Sequence, residues 1–310
     1  MAEPWELSSD TPVRRVVRAG LLIDARWPPR PGVTVQVWDA DTGTFAAVEC
    51  VREGWETQAA ALSGDGTRIA YITWSYSTGD KYLIVHTLAD GSEVRFDESD
   101  EATDYCAAFS PDGRELAVLS STSVQSPDGR FPEDWMIVWI IDLATGVRRK
   151  LWSAPGGLPA ERQIGWSPGG HYIAIAHADT DDQLAVTILG AADGNLVNQI
   201  SDREILPCPQ GAWASDQEVV LFPEEVDYNQ TPVPPTLITN VVTGAIRGPE
   251  ETPDLPHYCF ALMHGRLLMA PPDSISIMSL DGSDPHTLLT HDKKVVINVV
   301  DVARDVALIS

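Results

Sequence analysis

The sequence has few cysteines, and it lacks both paired cysteines and a long apolar run. Its four cysteines are Cys50, Cys106, Cys208 and Cys259, and no two of them form a CxxC pair. No apolar run of about 18 residues could span a membrane, and the polar, acidic start MAEPWELSSD is unlike a signal peptide. We therefore expect a cytoplasmic protein with no membrane contact and four reduced thiols.

Basic residues are also scarce relative to acidic ones. The chain has 21 Lys and Arg against 45 Asp and Glu, which gives a formal net charge of −24. This charge repels phosphate backbones, so we do not expect a nucleic-acid partner. It would attract a basic partner or a cation, although an acidic, solvated surface explains the same composition.

Helical periodicity of useful length is absent, and a β-strand repeat takes its place. In CAAFSPDGRELAVLS, from Cys106 to Ser120, one apolar strand enters a Pro-Asp-Gly turn and a second leaves it. Pro111 presets φ for a tight turn, and Gly113 tolerates a positive φ. The apolar residue before this turn recurs, with a second apolar pair after it, at Val17, Leu62, Phe109, Trp166, Trp213, Leu262 and Val302.

The spacing of these residues predicts the architecture. Successive members lie 45, 47, 57, 47, 49 and 40 residues apart, close to the roughly 40–50 residues of a four-stranded propeller blade. A second turn, with Gly after Asp or Thr, occurs once in each of six complete repeats and predicts a β-meander. A short edge strand is expected around Trp5–Leu7.

These observations predict an all-β fold, a single β-propeller domain of four-stranded blades over residues 1–310. Seven blades are the preferred count, and six are the alternative. The predicted repeats cover 12–52, 53–99, 100–155, 156–202, 203–250, 251–288 and, with two strands only, 289–310. The first repeat is expected to begin with a strand over 13–17.

Three segments carry a resemblance to a known family. FSPDGRELAV, WSPGGHYIAI and LSGDGTRIAY resemble the WD40-like repeat of the TolB-type propellers. The Trp-Asp pair that ends true WD40 blades occurs here only as Trp38-Asp39. The resemblance implies a propeller, but this repeat occurs in periplasmic scaffolds and in peptidase propeller domains alike, so it assigns no function.

One segment fits a catalytic pattern. Gly165-Trp166-Ser167-Pro168-Gly169 matches GxSxG, in which a serine nucleophile sits on a turn between a strand and a helix. Here the segment aligns with FSPDG of the neighbouring repeat and leads into a strand. We therefore interpret Ser167 as part of a structural turn.

The preferred function is a non-catalytic platform for a protein or peptide partner. Both long insertions, 121–134 and 222–235, fall on the propeller face that carries the loops between second and third strands, and binding residues commonly lie on such loops. We expect a monomer with no cofactor and no metal. The aromatic residues predicted for this binding face are Trp27, Trp55, Trp74, Tyr76, Trp135 and Tyr228.

The alternative is an enzyme that acts on a small molecule or peptide at the mouth of the central channel. Its candidate catalytic residues are Asp104, Tyr105, Arg162, His177, His257 and Tyr258. His177, His257 and His291 map to one face and could provide acid–base chemistry or bind a metal. Cys106 and Cys259 each lie three residues before the recurrent apolar residue; we interpret them as small buried residues rather than as metal ligands.

Overall fold

The protein is built from β-strands and turns, which confirms the all-β prediction. The computed structural model describes residues 5–7, 15–26, 35–48, 55–75, 78–98, 102–123, 134–155, 163–178, 184–201, 205–207, 213–223, 237–247, 259–263, 266–269, 274–279, 284–291 and 296–302. These residues include no helix, so no part of them could cross a membrane as an apolar helix.

The chain divides into two compact units. One consists of Met1–Arg95 together with Pro253–Ser310, and the other of Phe96–Thr252. The described strands form six sheets, numbered here in chain order. Neighbouring strands are antiparallel throughout, apart from the parallel pair that the N-terminal strand forms. The single domain over residues 1–310 stays a prediction.

The unit that contains both chain ends holds the first, second and sixth sheets. The first is ordered Val296–Val302 (β26), Ala19–Arg26 (β2), Val35–Asp39 (β3) and Thr44–Val48 (β4). The second is ordered Trp55–Leu62 (β5), Arg68–Ser75 (β6), Lys81–Thr87 (β7) and Glu93–Asp97 (β8). The sixth is ordered Trp5–Leu7 (β1), His286–His291 (β25), Ser274–Ser279 (β24), Arg266–Met269 (β23) and Cys259–Met263 (β22).

The other unit holds the third, fourth and fifth sheets. The third is ordered Arg148–Pro155 (β12), Asp134–Asp142 (β11), Glu115–Ser123 (β10) and Thr103–Phe109 (β9). The fourth is ordered Gln163–Trp166 (β13), Tyr172–Ala178 (β14), Leu184–Gly190 (β15) and Leu196–Ser201 (β16). In the fifth, Ile205–Pro207 (β17) and Trp213–Ser215 (β18) both pair with Glu218–Pro223 (β19), followed by Leu237–Asn240 (β20) and Ile246–Arg247 (β21).

The second strands are buried on both faces because they are continuous apolar runs. In β10, every residue from Leu116 to Leu119 is fully buried. Since consecutive residues of a strand point to opposite faces, both faces of this sheet must be packed. In the unit Phe96–Thr252, Ile188 of the fourth sheet lies in one apolar cluster with Trp213 and Val219 of the fifth. The fourth and fifth sheets therefore pack face to face, as blades do.

Each chain end adds a strand to a distant sheet: the C-terminal strand β26 joins the first sheet, and the N-terminal strand β1 joins the sixth. β26 pairs with β2 and occupies the place in the first sheet that the sequence predicts for residues 13–17. β1 pairs in parallel with β25, which confirms the edge strand around Trp5–Leu7. The strand at Val296–Val302 is thus the missing first strand of the first repeat, and the described strands give no seventh sheet. Pairing of this kind covers strand edges that would otherwise be open.

The first insertion is shorter than the sequence suggests. Strands β10 and β11 continue their pairing through Ser121 with Met136 and Ser123 with Asp134, so 121–123 and 134 belong to strands rather than to a loop. Residues 124–133 lie outside the described part of the chain. The second insertion also begins later, because Phe222 and Pro223 pair with β17.

In the third, fourth and fifth sheets, the glycine in the turn between the third and fourth strands faces the fourth strand of the preceding sheet. A Cβ on Gly146 would lie 3.9 Å from the Phe96 ring, and one on Gly244 would lie 3.2 Å from the Asn198 amide. A Cβ on Gly194 would collide with the carbonyl oxygen of Leu151. All three glycines have a positive φ, which favours glycine. Gly194 needs glycine for a second reason, because a Cβ there has no room.

We expect Gly194→Ala to destabilise the protein much more than Gly91→Ala. Gly91 has a similar φ of +72°, but no atom lies within 4 Å of the place that a Cβ would take, so its change costs only the left-handed backbone strain, about 1–2 kcal/mol. Gly194→Ala adds a collision with backbone, and we expect about 3–5 kcal/mol in total. Urea unfolding measures both changes; equal losses would contradict the packing described for Gly194.

Candidate functional site

A serine-to-aspartate hydrogen bond closes the turn between the first two strands in the second and third sheets. Ser63 Oγ donates to Asp65 Oδ1 at 2.6 Å, and Ser110 Oγ donates to Asp112 Oδ1 at 2.7 Å. Each serine Oγ also accepts a backbone N–H five residues later. The hydrogen bonds from Ser110 and from the Arg114 backbone lower the pKa of Asp112.

The fourth sheet has no aspartate in this turn, and an aspartate of the fifth sheet replaces it. Gly169 stands at the position of Asp112, and Asp216 lies in the turn between β18 and β19. Ser167 Oγ donates to Asp216 Oδ1 at 2.6 Å, and the Gly169 N–H donates to the same oxygen at 2.8 Å. A Cβ on Gly169 would lie only 2.7 Å from that oxygen, so a side chain at position 169 and this carboxylate compete for one place.

His171 completes this cluster without forming a catalytic triad. Its Nδ1 lies 2.6 Å from Asp216 Oδ2, while Ser167 is bonded to the other carboxylate oxygen and is fully buried. A hydrolase needs the serine hydroxyl on the histidine, with the aspartate behind it. The segment also leads into strand β14 rather than a helix. The GxSxG match is therefore a structural turn.

Asp104, a candidate catalytic residue, links β9 and β12, the two edge strands of the third sheet. Its carboxylate is fully buried and accepts hydrogen bonds from Arg148 Nη1 at 2.9 Å and Nη2 at 2.7 Å. Ser120 Oγ donates to it at 2.6 Å. Arg148 Nη2 also donates to the Asp97 carbonyl at 3.2 Å. The Asp104 carboxylate thus joins strand β9 to β12, and the Arg148 guanidinium joins β12 to the end of β8.

The other candidate catalytic residues give no assembled site within the described residues. His177 is buried, and its Nε2 lies 2.7 Å from Thr187 Oγ1 on the neighbouring strand. Tyr105 is half-buried on β9. The described side chains include no group of three His, Cys, Asp or Glu that could hold a metal ion. Arg162, His257 and Tyr258 lie outside the described residues, and of His291 only its place in β25 is described.

The predicted binding-face aromatics are described in part. Trp135 pairs with Thr122 near the start of β11 and is 37% exposed. Trp74 is half-buried, and Trp55 lies beside Ser75 at the same end of the second sheet. In the second and third sheets, the loop between the second and third strands starts at the end of the strands where these tryptophans lie. Trp27, Tyr76 and Tyr228 lie outside the described residues.

Sequence reasoning missed a set of exposed aliphatic side chains at the other end of the strands. They lie in or beside the turns between third and fourth strands of the third, fourth and fifth sheets. We call them the outer apolar rim: Val147, Leu196, Val242 and Ile246, which are 62%, 58%, 47% and 54% exposed. Their signal in the sequence is an aliphatic residue placed within two positions of each turn glycine, where turns are usually polar.

No protein-family model matches the sequence, and no curated protein matches it. The backbone is similar to a chain of the nidogen/laminin complex, with TM-score 0.58 and 14% identity over 92% of this chain and 99% of that chain. It is also similar to TolB from Acinetobacter baumannii, with TM-score 0.53 and 17% identity over 91% of this chain and 67% of that one.

A third similar structure is an acylaminoacyl peptidase in complex with Z-Gly-Gly-Phe-chloromethyl ketone. Its TM-score is 0.51 and its identity 12%, over 87% of this chain and 46% of the peptidase. These likenesses show a β-propeller fold, as the resemblance to TolB-type propellers implied. At such identities they show the fold alone.

Arg148→Ala should destabilise the protein by about 3–5 kcal/mol, because it leaves the buried Asp104 carboxylate without its cation. The matched control is Arg149→Ala on the same strand. Arg149 is 44% exposed and lies 3.9 Å from Glu115, so its loss should cost less than about 0.5 kcal/mol. Thermal and urea unfolding measure both; a similar small effect for the two variants would contradict the structural role of Asp104.

Asp216 and position 169 should behave as alternatives for one carboxylate. Asp216→Ala should cost about 1–3 kcal/mol, since Ser167 Oγ and the Gly169 N–H lose their acceptor. Gly169→Asp should destabilise the wild type through crowding, yet recover part of the loss in the Asp216→Ala background, where it recreates Ser-Pro-Asp-Gly. A double-mutant cycle measures this coupling; additive effects would contradict it.

The pH dependence provides a check on the same cluster. Burial by itself would raise the pKa of Asp216, but hydrogen bonds from Ser167, His171 and Gly169 outweigh it, and the net shift is downward. A lowered folded-state pKa means that the stabilisation is full above the unfolded pKa, about 3.9, and is lost as pH falls through the folded pKa. His171→Gln removes the titration of the histidine itself. The free energy of unfolding of His171→Gln should exceed that of the double variant His171→Gln/Asp216→Ala, and this difference should narrow only below about pH 4.

Proposed function

We propose that the protein is a non-catalytic β-propeller that binds a protein or peptide partner through its loop-insertion face. One observation carries this proposal. Among the described candidates for catalysis, Asp104 and His177 are buried and engaged in hydrogen bonds within their own sheets, whereas the aromatic candidate Trp135 is exposed. A catalytic acid or base must reach a substrate, and a binding hot spot needs an accessible aromatic.

The fold comparisons support a binding role in general terms. The solved structure with nidogen is a complex with laminin, and the matched chain of that complex has almost the length of the fold seen here. In contrast, this chain spans less than half of the acylaminoacyl peptidase. The match therefore leaves more than half of the peptidase without a counterpart, and an enzyme at the channel mouth remains the competing function.

Six blades fit the described sheets better than seven. In this proposal each of the six sheets is one blade, and the C-terminal strand β26 completes the first blade next to β2. The predicted partial seventh repeat then belongs to the first blade. A propeller of this kind presents the insertions between β10 and β11, and between β19 and β20, on one face.

The chain's charge suggests the chemistry of the partner. A net charge of −24 attracts a basic protein or peptide and keeps copies of the chain apart. We therefore propose a monomer in the cytoplasm with a basic partner, whose association slows as salt rises. No cofactor enters this proposal.

The proposal is tested by crosslinking from the insertion face. We expect a photo-reactive benzoylphenylalanine at position 135 to capture a discrete partner in cells, and the same group at position 147, on the other end of the strands, not to capture it. With the purified partner, Trp135→Ala should weaken binding about 10- to 100-fold in calorimetry, which is about 1.4–2.7 kcal/mol.

The matched control is Val147→Ala, which should leave that affinity within about twofold. Equal affinity of Trp135→Ala and wild type would contradict the proposed face. Turnover of a small molecule or peptide that is abolished by His257→Ala would overturn the proposal in favour of the enzyme.

A further inference from the structure

One buried imidazole nitrogen in the second sheet lacks a hydrogen-bond partner among the described residues. His86 lies on β7, and only 7% of its side chain is exposed. Its Nδ1 is buried and makes no hydrogen bond to any described group. Buried polar atoms in folded proteins are normally satisfied, so an exception of this kind points to a water or an ion that completes it.

A carboxylate oxygen lies next to this nitrogen. Glu93 Oε1 on β8 is 3.5 Å from His86 Nδ1, beyond the range of about 2.7–3.2 Å for a direct N–H···O hydrogen bond. The same oxygen accepts a hydrogen bond from Tyr71 Oη at 3.0 Å. Tyr71 is fully buried on β6, so its hydroxyl fixes the oxygen beside the imidazole. The Glu93 side chain is 27% exposed, which leaves a route from solvent.

Strand pairing and packing place these groups at the border of an apolar cluster. Ile69 on β6 pairs with His86 on β7, and Tyr71 follows Ile69 by two residues, so Tyr71 and His86 share one face of the sheet. On that face Tyr71 belongs to an apolar cluster that includes Val37 of the first sheet. The low dielectric of such a cluster strengthens the attraction of the Glu93 carboxylate for a cation.

The separation of 3.5 Å between Nδ1 and Oε1 fits a metal ion better than a water. A water that bonds both atoms at about 2.8 Å would hold them roughly 4.6 Å apart. A tetrahedral metal with bonds of about 2.0–2.2 Å holds its ligand atoms about 3.3–3.6 Å apart. The nitrogen also selects the metal, because imidazole suits zinc and copper, whereas calcium and magnesium take oxygen ligands.

We propose that His86 Nδ1 and the Glu93 carboxylate bind a zinc ion, with water in the other coordination positions. Tyr71 is a positioning residue, since its hydroxyl orients the carboxylate as hydrogen bonds do for carboxylate ligands in zinc sites. Two protein ligands are fewer than the four of a structural zinc site, so the ion exchanges with solvent and a chelator removes it. Such a site departs from the sequence expectation of no metal, and it needs neither the insertion face nor the partner proposed for it.

Calorimetric titration with Zn²⁺ tests the site in the full-length protein after treatment with a chelator. Wild type should bind one Zn²⁺ more tightly than the weak background that its other carboxylates give. His86→Gln and Glu93→Gln should each weaken this binding at least about tenfold. The matched control is Glu115→Gln, which removes a carboxylate of similar exposure, 34%, outside the site; its affinity should stay within about twofold of wild type.

Cobalt reports the coordination geometry. Tetrahedral Co²⁺ absorbs visible light much more strongly than octahedral Co²⁺ in water, so wild type and Glu115→Gln should show the strong bands. His86→Gln should lose these bands. Tyr71→Phe keeps both ligands, so its bands should remain but shift, and its loss of zinc affinity should lie between those of Glu115→Gln and His86→Gln.

Urea unfolding without metal shows whether each variant is folded. Glu93→Gln changes the more exposed ligand and decides the matter if His86→Gln does not fold. Wild type without a tight Zn²⁺ step, or zinc affinity that Glu93→Gln leaves unchanged, overturns the proposal. So does a weak, octahedral Co²⁺ spectrum in wild type.

Discussion

The hydrogen bond from a turn serine to an aspartate is the interaction on which the repeated first hairpin depends. Ser110 Oγ donates to the Asp112 carboxylate and accepts a hydrogen bond from the Glu115 N–H across the turn, so one hydroxyl links the two strands. Once the turn between Ser110 and Glu115 is set, the register of Phe109 opposite Leu116 follows. A slip by one residue would move each side chain of the strand to the opposite face of the sheet. In β10 both faces are packed, since Leu116 to Leu119 are all buried.

The fourth sheet shows how this constraint also joins neighbours. Because Gly169 has no carboxylate, the turn depends on Asp216, and the fourth and fifth sheets are tied by the bonds that elsewhere stay within one hairpin. The indole N–H of Trp166 ties the fourth sheet to the third by donating to the Ala108 carbonyl at 3.1 Å. Buried polar groups of this unit thus serve the packing of sheets, and their loss costs more than that of exposed groups.

This use of polar groups bears on function. Ser167, His177 and Asp104 are residue types that enzymes use, and in this chain each has a hydrogen-bond partner that fixes its position. The exposed large apolar side chains of the described residues include Trp135 at one end of the strands and the outer apolar rim at the other. Covering such apolar surface releases free energy when a partner binds, which is why the proposed function is binding.

The sequence by itself determined the all-β class, the four-strand repeat and both kinds of turn, because strand runs and Ser-x-x-Gly or Thr-Gly turns are local patterns. It also located the edge strand at Trp5–Leu7. Only the tertiary structure decided that Val296–Val302 belongs beside β2, that Asp216 completes a turn 49 residues away, and that Arg148 neutralises Asp104. These pairings join residues far apart in the chain, and their partners are chosen by packing, which no local pattern records.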